Sequence, residues 1–143
     1  MEEQKEPFYR HRISVQLRFS DVDRFGHVNN SVYFSLYDLA KTDYLRTVLK
    51  QDFETQPVVP VIANVNADFI SPVFFGDPIE IETAVIHVGN KSFTLRQRAV
   101  NTKTQQIVCL CQTVMVCFSL EQQVAVAVPD EVRSAIQTYE TPE

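Results

Sequence analysis

The sequence predicts an α+β fold in which one antiparallel sheet curls around a single long helix. Three observations lead there. From Asn30 to Lys50 there is no Gly or Pro, and apolar residues recur at spacings of three and four. One stretch before this segment, and four after it, alternate or carry β-branched runs bounded by turn residues. The order is therefore strand, helix, then strands joined by short turns, and a lone helix with a wide apolar face has only that sheet to cover it.

Each element has its own justification. Residues 12 to 19 place Ile13, Val15, Leu17 and Phe19 on one face and Arg12, Ser14, Gln16 and Arg18 on the other, a strand with one wet side. A polar loop, Ser20 to Asn29, follows. The helix, Asn30 to Lys50, runs about five turns, or ~30 Å. Val32, Tyr33, Leu36, Tyr37, Ala40, Tyr44, Leu45, Val48 and Leu49 form its apolar face, with Asp38, Lys41 and Asp43 between them. Asn29 or Asn30 is the natural N-cap. Gln51 to Gln56 reads as a polar connection. VVPVIANVNADFI is β-branched and SPVFFGDP is a breaker cluster. IEIETAVIHV alternates in its first half, and Gly89-Asn90 signals a hairpin turn. SFTLRQRAV sets Phe93 and Leu95 against Thr94, Arg96 and Arg98. Asn101 to Gln105 is turn-like, and QIVCLCQTVMVCFSL is apolar on both parities, as in a strand covered on both faces. Pro129 opens a short terminal helix, with Asp130 and Glu131 where the helix dipole favours them. Five strands leave an open edge that invites a second subunit.

Composition bounds the possibilities. The 143 residues fit one domain, 1–143, and 45% hydrophobic with 22% charged residues is an ordinary soluble balance. A net charge of −5 without a basic stripe argues against a nucleic-acid partner. The opening MEEQKEPFYR is acidic and polar, unlike a targeting segment, and no apolar run approaches the ~18–20 residues of a membrane span. A cytoplasmic protein with no membrane partner is expected. Cys109, Cys111 and Cys117 share one parity in an apolar run and read as core residues, and His11, His27 and His87 lack metal-ligand spacing, so no metal site is expected.

Chemistry concentrates in Phe19 to Asn30, FSDVDRFGHVNN. Either aspartate can be a turn residue between strand and helix, and Asp21, nearer the strand end, suits that reading well. Asp23 precedes Gly26, which permits a tight backbone, and lies seven residues before Asn30, at or near the first helical turn. A carboxylate is thereby set beside unpaired backbone N–H groups that attract negative charge. That pairing is equipment for acyl transfer: the amides hold a developing oxyanion, and the carboxylate attacks a carbonyl or deprotonates water. A thioester suits it because a thiolate leaves readily. His27 either braces the loop, orients a water or touches the substrate carbonyl. Tyr33 belongs to core or pocket wall. Phe25, Phe69, Phe74 and Phe75 are pocket or packing residues.

At this motif the sequence resembles the hotdog-fold acyl-CoA thioesterases of the 4-hydroxybenzoyl-CoA thioesterase type. The resemblance runs through RFSDVDRFGHVNNSVYFSLYDLAKTDYL and continues at NADFISPVFFGDPIEIET, GNKSFTLRQR and PDEVRSAI. It implies a hotdog fold, a five-stranded antiparallel sheet wrapped around one long helix. Subunits would pair edge to edge as a homodimer with active sites at the interface, and two dimers often stack as a homotetramer. The family's carboxylate falls on Asp23, and its oxyanion-binding amide on Asn30. His27 matches the histidine of the H-V-N-N branch, which is similar to plant acyl-carrier-protein thioesterases in this segment; their further polar residue is replaced here by Phe25. Lys91 falls where the family often presents a basic side chain to the coenzyme A phosphates, so Tyr33 and Lys91 become substrate-binding candidates. The expected function is hydrolysis of an acyl-CoA thioester with no cofactor, coenzyme A being part of the substrate. Two rival readings use the same fold: a non-catalytic acyl-thioester sensor, and a hydratase or dehydratase with His27 as base.

Overall fold

The computed structural model describes residues 6–50 and 56–141. The expected connection at Gln51 to Gln56 lies outside these residues except for Gln56. Eight elements follow in order: β1 (His11–Val15), α1 (Asn30–Leu49), β2 (Val58–Phe69), β3 (Ile79–Val88), β4 (Ser92–Asn101), β5 (Gln106–Ser119), β6 (Val124–Ala125) and α2 (Asp130–Glu140). All strand pairs are antiparallel, in the order β1-β3-β4-β5-β2, and β6 joins β5.

The sheet therefore has six strands, not five. The sixth is two residues long and was not foreseen because LEQQVAV carries no Gly or Pro. Gln123 turns the chain instead, at φ 57°, and its N–H donates to the Ser119 carbonyl at 2.8 Å. The first strand is also shorter than its alternation suggested. It pairs only from His11 to Val15, where its partner β3 begins at Ile79. The preceding Pro78 has no N–H to extend the ladder. Phe19 to Asp21 forms a 3-10 turn in place of the strand's end.

Helix α1 buries Tyr33, Leu36, Tyr37, Ala40, Tyr44, Leu45 and Val48 against the sheet, as its periodicity predicts. Asn29 caps it by accepting from the Ser31 N–H, and Lys50 closes it in the left-handed conformation at φ 56°. Lys41 is the exception on this face: it is 5% exposed and held by Asp38 at 3.0 Å. All three cysteines are buried with free thiols. The core forms two clusters along the rod. One centres on Tyr33, Tyr37 and Ile81, the other on Tyr44, Phe93 and Ile136. Helix α2 joins the second, and its Glu140 carboxylate accepts from the Tyr44 hydroxyl at 2.5 Å and the Val85 N–H at 3.1 Å.

β2 stands at the edge of the sheet, twelve residues long, and exposes Val61, Ile62, Val65 and Phe69. Its inner neighbour β5 carries a bulge at Val108, because Ala99 pairs with Cys109 while Val100 pairs with Ile107. The bulged carbonyl accepts both the Ile70 N–H at 2.9 Å and the Ser71 N–H at 3.1 Å, which anchors the chain as it leaves β2. No helix among the described residues is long and apolar enough to cross a membrane.

Candidate active site

The polar loop folds largely by its own hydrogen bonds. Gly26 N–H donates to the Asp23 carbonyl at 2.9 Å, and Gly26 takes φ 82°, a conformation that favours glycine. Asp23 N–H donates to the His27 carbonyl at 2.8 Å, and Asn29 N–H to the Asp21 carbonyl at 2.9 Å. Opposite this loop runs the segment after β2. Val28 N–H donates to the Val73 carbonyl at 2.7 Å, and His27 bridges to Phe74.

The two aspartates separate by task. Asp21 is buried at 3% exposure. Its carboxylate accepts the Arg18 backbone N–H at 2.7 Å, and Nε and Nη2 of Arg18 at 3.2 and 3.0 Å. These bonds, the backbone one first, hold its carboxyl below the usual carboxylate range. Asp21 is thus a structural brace. A folded-state value below the unfolded one means that its stabilisation is present above the unfolded carboxyl range, near 3.9, and is lost as pH falls through the folded value. Asp21→Ala is expected to cost about 2 kcal/mol, read as a fall of about 7 °C in melting temperature. The difference from wild type should shrink as the pH is lowered through the acid range. An unchanged melting temperature at neutral pH would contradict this role.

Asp23 is exposed and lines a cavity of about 400 Å³ together with His27, Val28, Asn29, Asn30, Tyr33 and residues 69–72. Its Oδ1 accepts the N–H groups of Phe25 at 2.9 Å and His27 at 3.2 Å. Its Oδ2 has no protein donor among the described residues. The His27 ring stacks edge-on against Phe74, with centroids 4.9 Å apart. At the helix start the Ser31 N–H is taken by Asn29 Oδ1 at 3.1 Å and the Val32 N–H by the Asn29 carbonyl at 2.9 Å. The Asn30 N–H has no acceptor among the described residues. Tyr33 is 4% exposed, and burial is the main cause of a phenol pushed up to about 12. The Cys109 thiol is likewise pushed up to about 11, chiefly by burial, so it remains a thiol at neutral pH.

Asp23, His27, Asn30 and Tyr33 thus share one cavity. Lys91 does not join them in the same chain. Its carbonyl accepts the Cys117 N–H on β5, nine residues beyond the Val108 anchor of the cavity wall, roughly 30 Å away by strand rise. Of the phenylalanines, Phe69 lines the cavity, while Phe25, Phe74 and Phe75 are exposed beside it. Ile70, Ser71 and Pro72 were not singled out from the sequence. Their place depends on the β5 bulge, which has no signature in QIVCL. No group of three His, Cys, Asp or Glu side chains among the described residues forms a metal-ligand cluster.

A long helix rolled in an antiparallel sheet, with a carboxylate turn at the helix start, defines the hotdog thioesterase class of protein. The profile of the thioesterase-like superfamily matches residues 17–136, and the chain belongs to that superfamily. It is 25% identical over 124 residues to the long-chain acyl-CoA thioesterase FadM of Escherichia coli, covering 86% of this chain and 94% of that protein. Among solved structures it resembles the PA5185 protein of Pseudomonas aeruginosa, with 26% identity, TM-score 0.84 and 93% of each chain covered. It also resembles a Thermus thermophilus thioesterase complexed with coenzyme A and Zn, with 25% identity, TM-score 0.82, and 94% and 98% of the two chains covered.

Proposed function

We propose that the protein is a thioester hydrolase that cleaves acyl-CoA to the free acid and coenzyme A, in the H-V-N-N branch of the 4-hydroxybenzoyl-CoA thioesterase type. One observation carries this reading: Asp23, whose Oδ2 has no protein donor among the described residues, and Asn30, whose N–H has no acceptor among them, line the same cavity. A thioester carbonyl oxygen seated on that N–H gains a donor that strengthens as negative charge develops. Asp23 Oδ2 then takes a proton from water, the hydroxide adds to the carbonyl carbon, and the carbon–sulfur bond breaks. The coenzyme A thiolate leaves without needing a strong acid. Direct attack by Asp23 is the other carboxylate route, and it alone puts labelled oxygen from water into Asp23 during a single turnover. His27 flanks the reacting carbon and positions the acyl group against Tyr33.

The free β2 edge supports a homodimer. A two-fold axis near the middle of β2 would bring the partner's β3–β4 turn to the end of the sheet where this chain's Asp23 lies. Lys91 would then reach the coenzyme phosphates in trans.

A free-thiol release assay over a panel of acyl-CoA thioesters tests the activity. Turnover is expected, and binding without turnover would favour the sensor reading instead. Hydration of crotonyl-CoA without hydrolysis would favour the hydratase. In the same assay Lys91→Ala should raise KM for acyl-CoA but not for acyl-pantetheine, which lacks the nucleotide phosphates. Equal KM changes for both would remove Lys91 from the phosphate site.

A further inference from the structure

Among the described residues, the start of α1 leaves one first-turn backbone N–H without an acceptor. Asn29 and its side chain occupy the Ser31 and Val32 N–H groups, leaving that of Asn30. A tetrahedral oxyanion has lone pairs for two or three donors, and removing one donor typically lowers kcat by about 100- to 1000-fold. The loop offers a position for a second. The bridge His27–Phe74 and the bond from Val28 N–H to the Val73 carbonyl define an antiparallel register. Ser71 stands two residues before Val73 on that wall. Both Ser71 and Asn30 line the cavity.

The Ser71 hydroxyl is oriented. Its oxygen accepts the Gln106 Nε2–H at 2.8 Å. A hydroxyl has one proton to give, and among the described residues the Ser71 proton has no acceptor. The Ser71 backbone is held by the Val108 carbonyl at 3.1 Å, so the side chain hangs from a fixed point. The Asn29 side chain, also at the cavity, is turned toward Ser31 by its capping bonds to the Ser31 N–H and Oγ, both 3.1 Å.

The geometry points to Ser71 as the second oxyanion donor, a catalytic residue that closes on the thioester oxygen opposite the Asn30 N–H. Gln106 is its positioning residue. This inference rests on the hydrolase reading. It assigns function to a serine outside the FSDVDRFGHVNN run, on the wall contributed by the end of the edge strand.

Kinetics of the full-length protein with an acyl-CoA that it turns over tests the assignment. Ser71→Ala should lower kcat about 100-fold with KM little changed, because the bond strengthens only in the transition state. Ser71→Thr should restore most of the rate. Gln106→Ala should lower kcat about tenfold, and the double variant should be no slower than Ser71→Ala, since both act through one proton. Binding of an alkyl-CoA thioether, which has the chain but no carbonyl oxygen, should not change in Ser71→Ala. A kcat for Ser71→Ala within about threefold of wild type overturns the assignment and leaves the hydrolase reading standing. Equal weakening of thioether binding overturns it in favour of a packing role. A wild-type protein that hydrolyses no thioester overturns both readings.

Discussion

Asp23→Asn is expected to lower kcat for acyl-CoA hydrolysis by about a thousandfold while the melting temperature stays within about 2 °C of wild type. The two parts of this result have separate causes. An asparagine keeps a carbonyl oxygen where Oδ1 accepts the Phe25 and His27 N–H groups, so the turn stays closed. What it loses is the second carboxylate oxygen, and with it the proposed base or nucleophile. Acyl-CoA binding, read by calorimetry, should survive. Turnover at the wild-type rate would take the chemistry away from Asp23 altogether.

Val65→Lys is expected to convert the proposed dimer into a 16.4 kDa monomer and to abolish most turnover. Val65 lies near the middle of β2 and is 37% exposed in a single chain, so a lysine there leaves the core intact. Antiparallel self-pairing about that midpoint would bring two such charges close together, and like charges on facing strands oppose association. Sedimentation velocity gives the mass, and the thiol assay gives the rate. A variant that stays dimeric would mean that subunits meet through another face. One that becomes a fully active monomer would mean that the site is complete within one chain.

How much of this was legible in the sequence depended on how local the signal was. The α1 face follows from spacing alone, and its buried tyrosines and leucines are where periodicity puts them. The nearness of Asp23 to Asn30 was legible from its place before the helix start, whereas the burial of Asp21 against Arg18 was not. Lys41 was misplaced by the same logic: periodicity expects a lysine in water, but Asp38 one turn earlier allows it to stay within the buried face. The first strand was overrun because its alternation continues past the point where Pro78 removes its partner. Ser71 was invisible for a different reason. Its place depends on a bulge in β5 and on pairing across more than forty residues, and neither leaves a pattern in SPVFFGDP.

The loop between β1 and α1 holds its shape through bonds among Arg18, Asp21, Asp23, Gly26, His27 and Asn29. All of those bonds lie within one chain. The shape of the loop therefore does not depend on what pairs with the β2 edge. In the proposed dimer, dilution and reassembly should switch turnover off and on without any refolding step.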